Sequence, residues 1–241
     1  VANNGTVVYV PEEPRSLVLV DRSGASRPAV GETHNYHSPR FSPDGQRIAV
    51  DFTTPDGRDV WVLRLADGTL SRTTFVTDGH DPSWGPGADD LSFVSARSGV
   101  LGLYRIRPGG AAPAESLFAS TQLGYTGIWL QDQSAVVTAG AGLAPDSRTD
   151  IGIVRNGGRG PIDPVVATRF EEQSPALSPD DQWLAFMSTQ SGREEVYVRR
   201  LDGTGAQVQI SLAGGTEPVW GPSGQELFYR ATSAGQAELM A

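Results

Sequence analysis

The 241-residue chain contains no cysteine, which removes disulfides, thiolate metal sites and cysteine nucleophiles from consideration. That absence leaves the redox compartment open, because a chain of this length buries enough apolar surface to fold without covalent staples. No apolar run approaches the length of a membrane span, and no secretory signal precedes the first predicted strand. Basic residues are in the minority, 19 against 28 acidic for a formal charge of -9, and Arg199-Arg200 is their densest pair. Such a surface repels phosphate backbones, so nucleic acid is not expected as a partner. Long segments of helical period are missing as well. Histidine occurs three times only.

What the chain has in quantity is glycine (29) and proline (17), the residues of tight turns between short strands. Self-similarity then organises the sequence. Five segments align: PRFSPDGQRIAVD from Pro39, PSWGPGADDLSFV from Pro82, GIWLQDQSAVVTA from Gly127, PALSPDDQWLAFM from Pro175 and PVWGPSGQELFYR from Pro218, in steps of 43, 45, 48 and 43 residues. This is the length of a four-stranded propeller blade. A sixth copy is cut short at the front, with Ala2-Asn3-Asn4-Gly5 in the turn position. The expected fold is therefore all-β, a six-bladed β-propeller with incomplete terminal blades, in a single domain over 1–241. Its blades are expected at about 1–37, 38–80, 81–125, 126–173, 174–216 and 217–241.

Each copy can be decoded physically. A first strand ends in a large apolar residue (Phe41, Trp84, Trp129, Leu177, Trp220) expected to pack between blades. A turn such as Pro43-Asp44-Gly45 follows, in which proline presets φ and Asp-Gly suits the reversal. The second strand alternates, as in Ile48, Val50 and Phe52. Asp56-Gly57 and Asp67-Gly68 turn the chain into the third strand and the polar fourth. The copy from Gly127 departs most, with Gln131-Asp132-Gln133 in place of Pro-Asp-Gly. The stretch 139–148 reads as an enlarged loop within its blade. The front copy contributes Thr6–Val10, Ser16–Asp21 and Arg27–Val30 without an innermost strand. The last lacks an outermost one, so closure of the ring is expected to be imperfect.

The segments GTVVYVP, LVLVDRSG, PRFSPDGQRIAVD, SPALSPDDQWLAFMS, SGREEVYVRRL and GGTEPVWGPSGQELFYR resemble the WD-like repeats of TolB and related bacterial propellers. They are also similar to the propeller that follows the kinase domain in many bacterial serine/threonine kinases. The chain itself has no glycine-rich phosphate loop, no His-Arg-Asp and no Asp-Phe-Gly. It begins at Val1 inside a repeat and reads as a fragment of a longer bacterial protein. The resemblance implies a recognition or sensing surface, placed in the periplasm or otherwise outside the cytoplasm. A prolyl-oligopeptidase reading fails, since no Gly-x-Ser-x-Gly elbow follows.

The candidate site comes from the phase of the repeats. His37 lies two residues before Pro39 and His80 two before Pro82, and His34 belongs to the same loop as His37. The equivalent positions elsewhere are Tyr125, Gln173 and Thr216. Radial repetition should bring these to one mouth of the central channel, together with Tyr36 and the acids Asp81, Glu172 and Glu217. Two readings follow. In the first, the propeller is a non-catalytic binding module whose protein, peptide or small-molecule ligand meets Tyr36, Tyr125 and Gln173. In the second, His34, His37, His80 and Asp81 hold a divalent metal, zinc or calcium. The metal would activate water for hydrolysis of esters, lactones or phosphotriesters, with Glu172 and Glu217 as catalytic carboxylates. A serine triad around Ser38 or Ser174 is a weaker alternative, because hydroxyls at strand starts usually serve the backbone.

Overall fold

The computed structural model describes residues 15–122, 124–125, 127–233 and 236–241. Strands β1 (Arg15–Val20) and β2 (Ser26–His34) form a hairpin of their own. Five antiparallel sheets follow. The first blade holds β3 (His37–Phe41), β4 (Arg47–Thr54), β5 (Gly57–Arg64) and β6 (Leu70–Arg72). The second holds β7 (His80–Trp84), β8 (Leu91–Ser95), β9 (Gly102–Ile106) and β10 (Glu115–Ala119). The third consists of β11 (Ile128–Trp129), β12 (Val136–Gly140), β13 (Asp150–Val154) and β14 (Ile162–Val166). The fourth comprises β15 (Glu172–Leu177), β16 (Trp183–Ser188), β17 (Glu195–Arg200) and β18 (Val208–Gln209). The fifth has three strands, β19 (Thr216–Trp220), β20 (Leu227–Ser233) and β21 (Gln236–Met240). In every blade spatial order follows chain order.

The expectation of six blades is corrected to five. What the repeat count took for a first blade is, among the described residues, the two-stranded β1–β2 hairpin. The strand expected at Thr6–Val10 lies outside the described residues. The sole helical stretch described, Arg155–Gly158, is one turn containing left-handed Asn156 and Gly157, so helix is nearly absent as expected.

The turns after the first strands share one construction. In the first blade Asp44 accepts hydrogen bonds from the Ser42 hydroxyl (2.5 Å) and the Gln46 amide (3.0 Å), and Gly45 supplies φ of 67°. In the fourth, Asp180 accepts from Ser178 and Gln182, with Asp181 at φ 57° standing where glycine stood. These hydrogen bonds hold the Asp44 and Asp180 carboxyls below their ordinary pKa. The divergent third copy makes the same bend, with Gln133 at φ 58° and Asp132 accepting from the Ser134 amide.

Burial is concentrated between blades. Trp84 on β7 packs on Ala49, Val60 and Val62 of the first blade and donates its indole N–H to the Arg40 carbonyl at 3.0 Å. Arg47 covers the same ring, 4.6 Å from its centroid. Trp129 on β11 repeats the arrangement against Val94 and Leu103, donating to the Ser92 hydroxyl. Trp220 does so against Ala176, Ala185 and Val198, donating to the Ala176 carbonyl. Leu177 lies partly buried in the seam between the third and fourth blades, which Ile151, Leu184 and Phe186 fill. In each case the residue that ends a first strand packs on the preceding blade. Phe41 breaks the rule: it was expected in the core but is 58% exposed.

Candidate functional site

The channel owes its shape to a repeated irregularity. In β3, β7, β15 and β19 the register with the second strand slips at the residue before proline and the proline itself: Ser38-Pro39, Asp81-Pro82, Ser174-Pro175 and Glu217-Pro218. The residue before proline has φ of 49°, 50°, 51° and 53° in these four. A side-chain-bearing residue in this left-handed region costs about 1–3 kcal/mol unless its surroundings enforce it. Bulges of this kind re-aim side chains. Here they turn Ser38, Asp81, Ser174 and Glu217 onto the wall of a central cavity of about 690 Å³. The anchors Pro39, Pro82, Gly127, Pro175 and Pro218 lie on the same wall, forming the ring expected of them.

The predicted site residues divide accordingly. Asp81, Tyr125, Gln173 and Glu217 line the cavity. His34 does not: it closes β2, stacks on Phe52 at 4.2 Å and meets Glu32 at 3.2 Å. Tyr36 is only 5% exposed and donates its hydroxyl to the Glu32 carbonyl, in the core beneath the hairpin. His37 pairs in register with Asp51 and His80 with Val94, and neither is on the cavity wall. Glu172 is 1% exposed, held by the Thr168 hydroxyl and amide and by Ser188. Burial raises its pKa and nearby Asp150 adds to the rise. Of the proposed metal set, His34 lies on β2 against Phe52, and His80 contacts Asp81 (3.1 Å). Among the described residues no three His, Asp or Glu side chains gather as a metal ion requires. Among the described residues the donor set does not fit zinc or calcium.

Counting back two residues from each anchor reached the wall at Tyr125 and Gln173, whereas at the first, second and fifth blades the bulge gives that place to Ser38, Asp81 and Glu217 beside proline. The recurring X-Pro pair gave no signal of this bend, since the restriction before proline favours extended backbone rather than a left-handed turn. Arg40 was missed because the repeats share no residue type there; Ser83, Ile128, Ala176 and Val219 follow the other anchors.

Two acids of the channel wall, Asp81 and Glu217, each have partners. Asp81 accepts from Ser38 (2.7 Å) and contacts His80. Burial pushes its pKa up, but these hydrogen bonds outweigh that and hold it below the ordinary value. Its backbone amide donates to Asp51, which lies behind it on β4 and is gripped by Arg58 at 2.5 Å. Complete burial nonetheless pushes Asp51 up to about 6, with Asp81 contributing to the rise. Glu217 stands 3.6 Å from Arg230.

Radial sheets around a channel, each feeding its first strand to the channel wall, define a β-propeller. More narrowly, the fold is TolB-like. TolB from Acinetobacter baumannii superposes with a TM-score of 0.79 at 17% identity, over 93% of this chain and 56% of that one. A putative TolB from Agrobacterium tumefaciens gives 0.76 at 20% identity, over 93% and 80%. The β-propeller domain of the Trilobed protease from Pyrococcus furiosus, described as having an open velcro topology, gives 0.62 at 13%, over 94% and 86%. The chain thus spans little more than half the length of the Acinetobacter protein. No family model matches the sequence, and no curated protein does.

Proposed function

We propose that the protein is a non-catalytic binding or sensing propeller whose ligand enters the central channel. The carrying observation is the ring of left-handed residues before proline: four blades bear the same backbone strain and turn one variable side chain each onto one cavity. A cavity of about 690 Å³ is in the range of small-molecule and peptide-end sites. The resemblance to propellers carried by longer bacterial proteins supports a module of a larger chain working outside the cytoplasm. Among the described residues no helix is long and apolar enough to cross a membrane.

Amide and side-chain NMR of the folded chain against a library of small polar fragments and short peptides tests this reading. Binders should perturb Asp81, Tyr125, Gln173 and Glu217, and Ser174→Trp should abolish their binding while the fold persists. Binders that perturb only outer strands such as β6 and β10 would overturn it. Chelator-sensitive hydrolysis of an ester, lactone or phosphotriester that is lost in His80→Ala would replace it with a catalytic function.

A further inference from the structure

One cation on the channel wall has no counter-charge in contact. Arg40 follows the first bulge and lines the cavity, and among the described residues its guanidinium bonds only to the carbonyl of its neighbour Pro39 at 3.1 Å. Among the described residues no carboxylate lies within 4 Å of it. The nearby acids are otherwise engaged: Asp51 by Arg58, Asp81 by Ser38 and His80, Glu217 by Arg230. Protein surrounds the group and strips part of its hydration, lowering its pKa, although its surface stays open to the channel. A guanidinium so placed presents a free fork of donors whose natural complement is a planar carboxylate.

We infer that the channel binds a ligand bearing a single carboxylate, held by Arg40. This rests on the channel being a binding site. Three carboxylates, those of Asp51, Asp81 and Glu217, act on Arg40 from around it. A dianion such as phosphate would meet their repulsion on two charges, whereas a monocarboxylate meets it on the one charge that the guanidinium pairs. The surrounding wall favours an apolar body behind the carboxylate, for Pro39, Pro82, Pro175, Pro218 and Ile128 form much of it. Both a free fatty or aromatic acid and the C-terminal residue of a peptide have this chemistry.

The test is calorimetric titration of the full chain with three kinds of probe. These are hexanoate, N-acetyl tripeptides ending in Leu, Phe or Ala as free acids, and the same tripeptides as C-terminal amides. Free acids should bind about 10- to 100-fold more tightly than amides, the factor for one charge-assisted hydrogen-bonded contact. Arg40→Gln should remove that preference, Arg40→Lys should restore it in part, and the control Arg64→Gln, at the exposed end of β5, should leave it intact. Hexanoate binding as well as the acid peptides points to a free acid; peptides binding alone point to a chain terminus. Equal affinity for acids and amides, with Arg40→Gln silent, would overturn the carboxylate inference while channel binding stands. Inorganic phosphate binding more tightly than hexanoate would overturn it also. Absence of binding by every probe would overturn it, and the fragment library would then judge channel binding by itself.

Discussion

The seam between the first and second blades and the flank before the first blade are built around equivalent residues, Trp84 and Phe41, and meet opposite fates. Trp84 is 7% exposed, with two blades closing on it and its N–H satisfied. Phe41 is mostly in solvent. The described residues tie the hairpin to the fifth blade through Arg22, which pairs with Glu226 and lies 6.0 Å from the Phe228 ring. The difference teaches that the large residue ending each first strand is apolar for the sake of the preceding blade.

The largest effect should come from breaking the closed seam. Trp84→Ala removes a buried indole and orphans the Arg40 carbonyl, so denaturant unfolding should show a loss of about 3–5 kcal/mol. A loss below about 1 kcal/mol would deny Trp84 its place in the core.

Next in size is the polar fastening of the same seam. Asp51 is raised from 3.8 to about 6. Between those values the folded protein keeps a proton that the unfolded chain has released, so this group's contribution to stability falls as pH rises. The full cost is about 3 kcal/mol above pH 6. Asp81, held low, acts oppositely: its contribution is present above the ordinary carboxyl range and is lost on acidification through its depressed pKa. Urea unfolding of wild type and Asp51→Asn at pH 4 and pH 7 isolates the first effect. Wild type should lose ground to the variant by about 2–3 kcal/mol over that range. A difference independent of pH would mean that Asp51 is ionised throughout.

A smaller effect sharpens the contrast from the open side. Phe41→Ala should cost under about 1 kcal/mol, as exposed positions do. A loss equal to that of Trp84→Ala would show the flank to be covered in solution. Smallest of all, Arg22→Ala should leave the unfolding midpoint unchanged at high salt, because both partners of the pair are exposed. A clear drop would make that ion pair a true closure.

Much of this fold was legible because its repeats are punctuated by turn chemistry. Ser42-Pro43-Asp44-Gly45 and Ser178-Pro179-Asp180-Asp181 each announce a reversal, and the spacing between copies announces a blade. The number of blades was less legible, since a repeat fragment at the front looks alike whether or not it completes a sheet. At the site, Asp81, Tyr125, Gln173 and Glu217 line the channel, while His34, Tyr36 and Glu172 lie elsewhere. Side-chain direction past a bulge obeys the local backbone, and period-2 counting does not carry through it. Tyr36 and Glu172 went inward because each found hydrogen-bond partners there, Glu32 and Thr168, which repeat position does not reveal.

The bulged X-Pro pairs also bear on how such a protein changes over generations. The bend recurs with serine, aspartate and glutamate alike, so its geometry tolerates whichever side chain comes before proline. One codon in each of these blades can then rewrite a portion of the channel's interior while the indole seams go on holding the sheets together. Ligand preference is free to drift at those positions without drawing on the residues that make the chain fold.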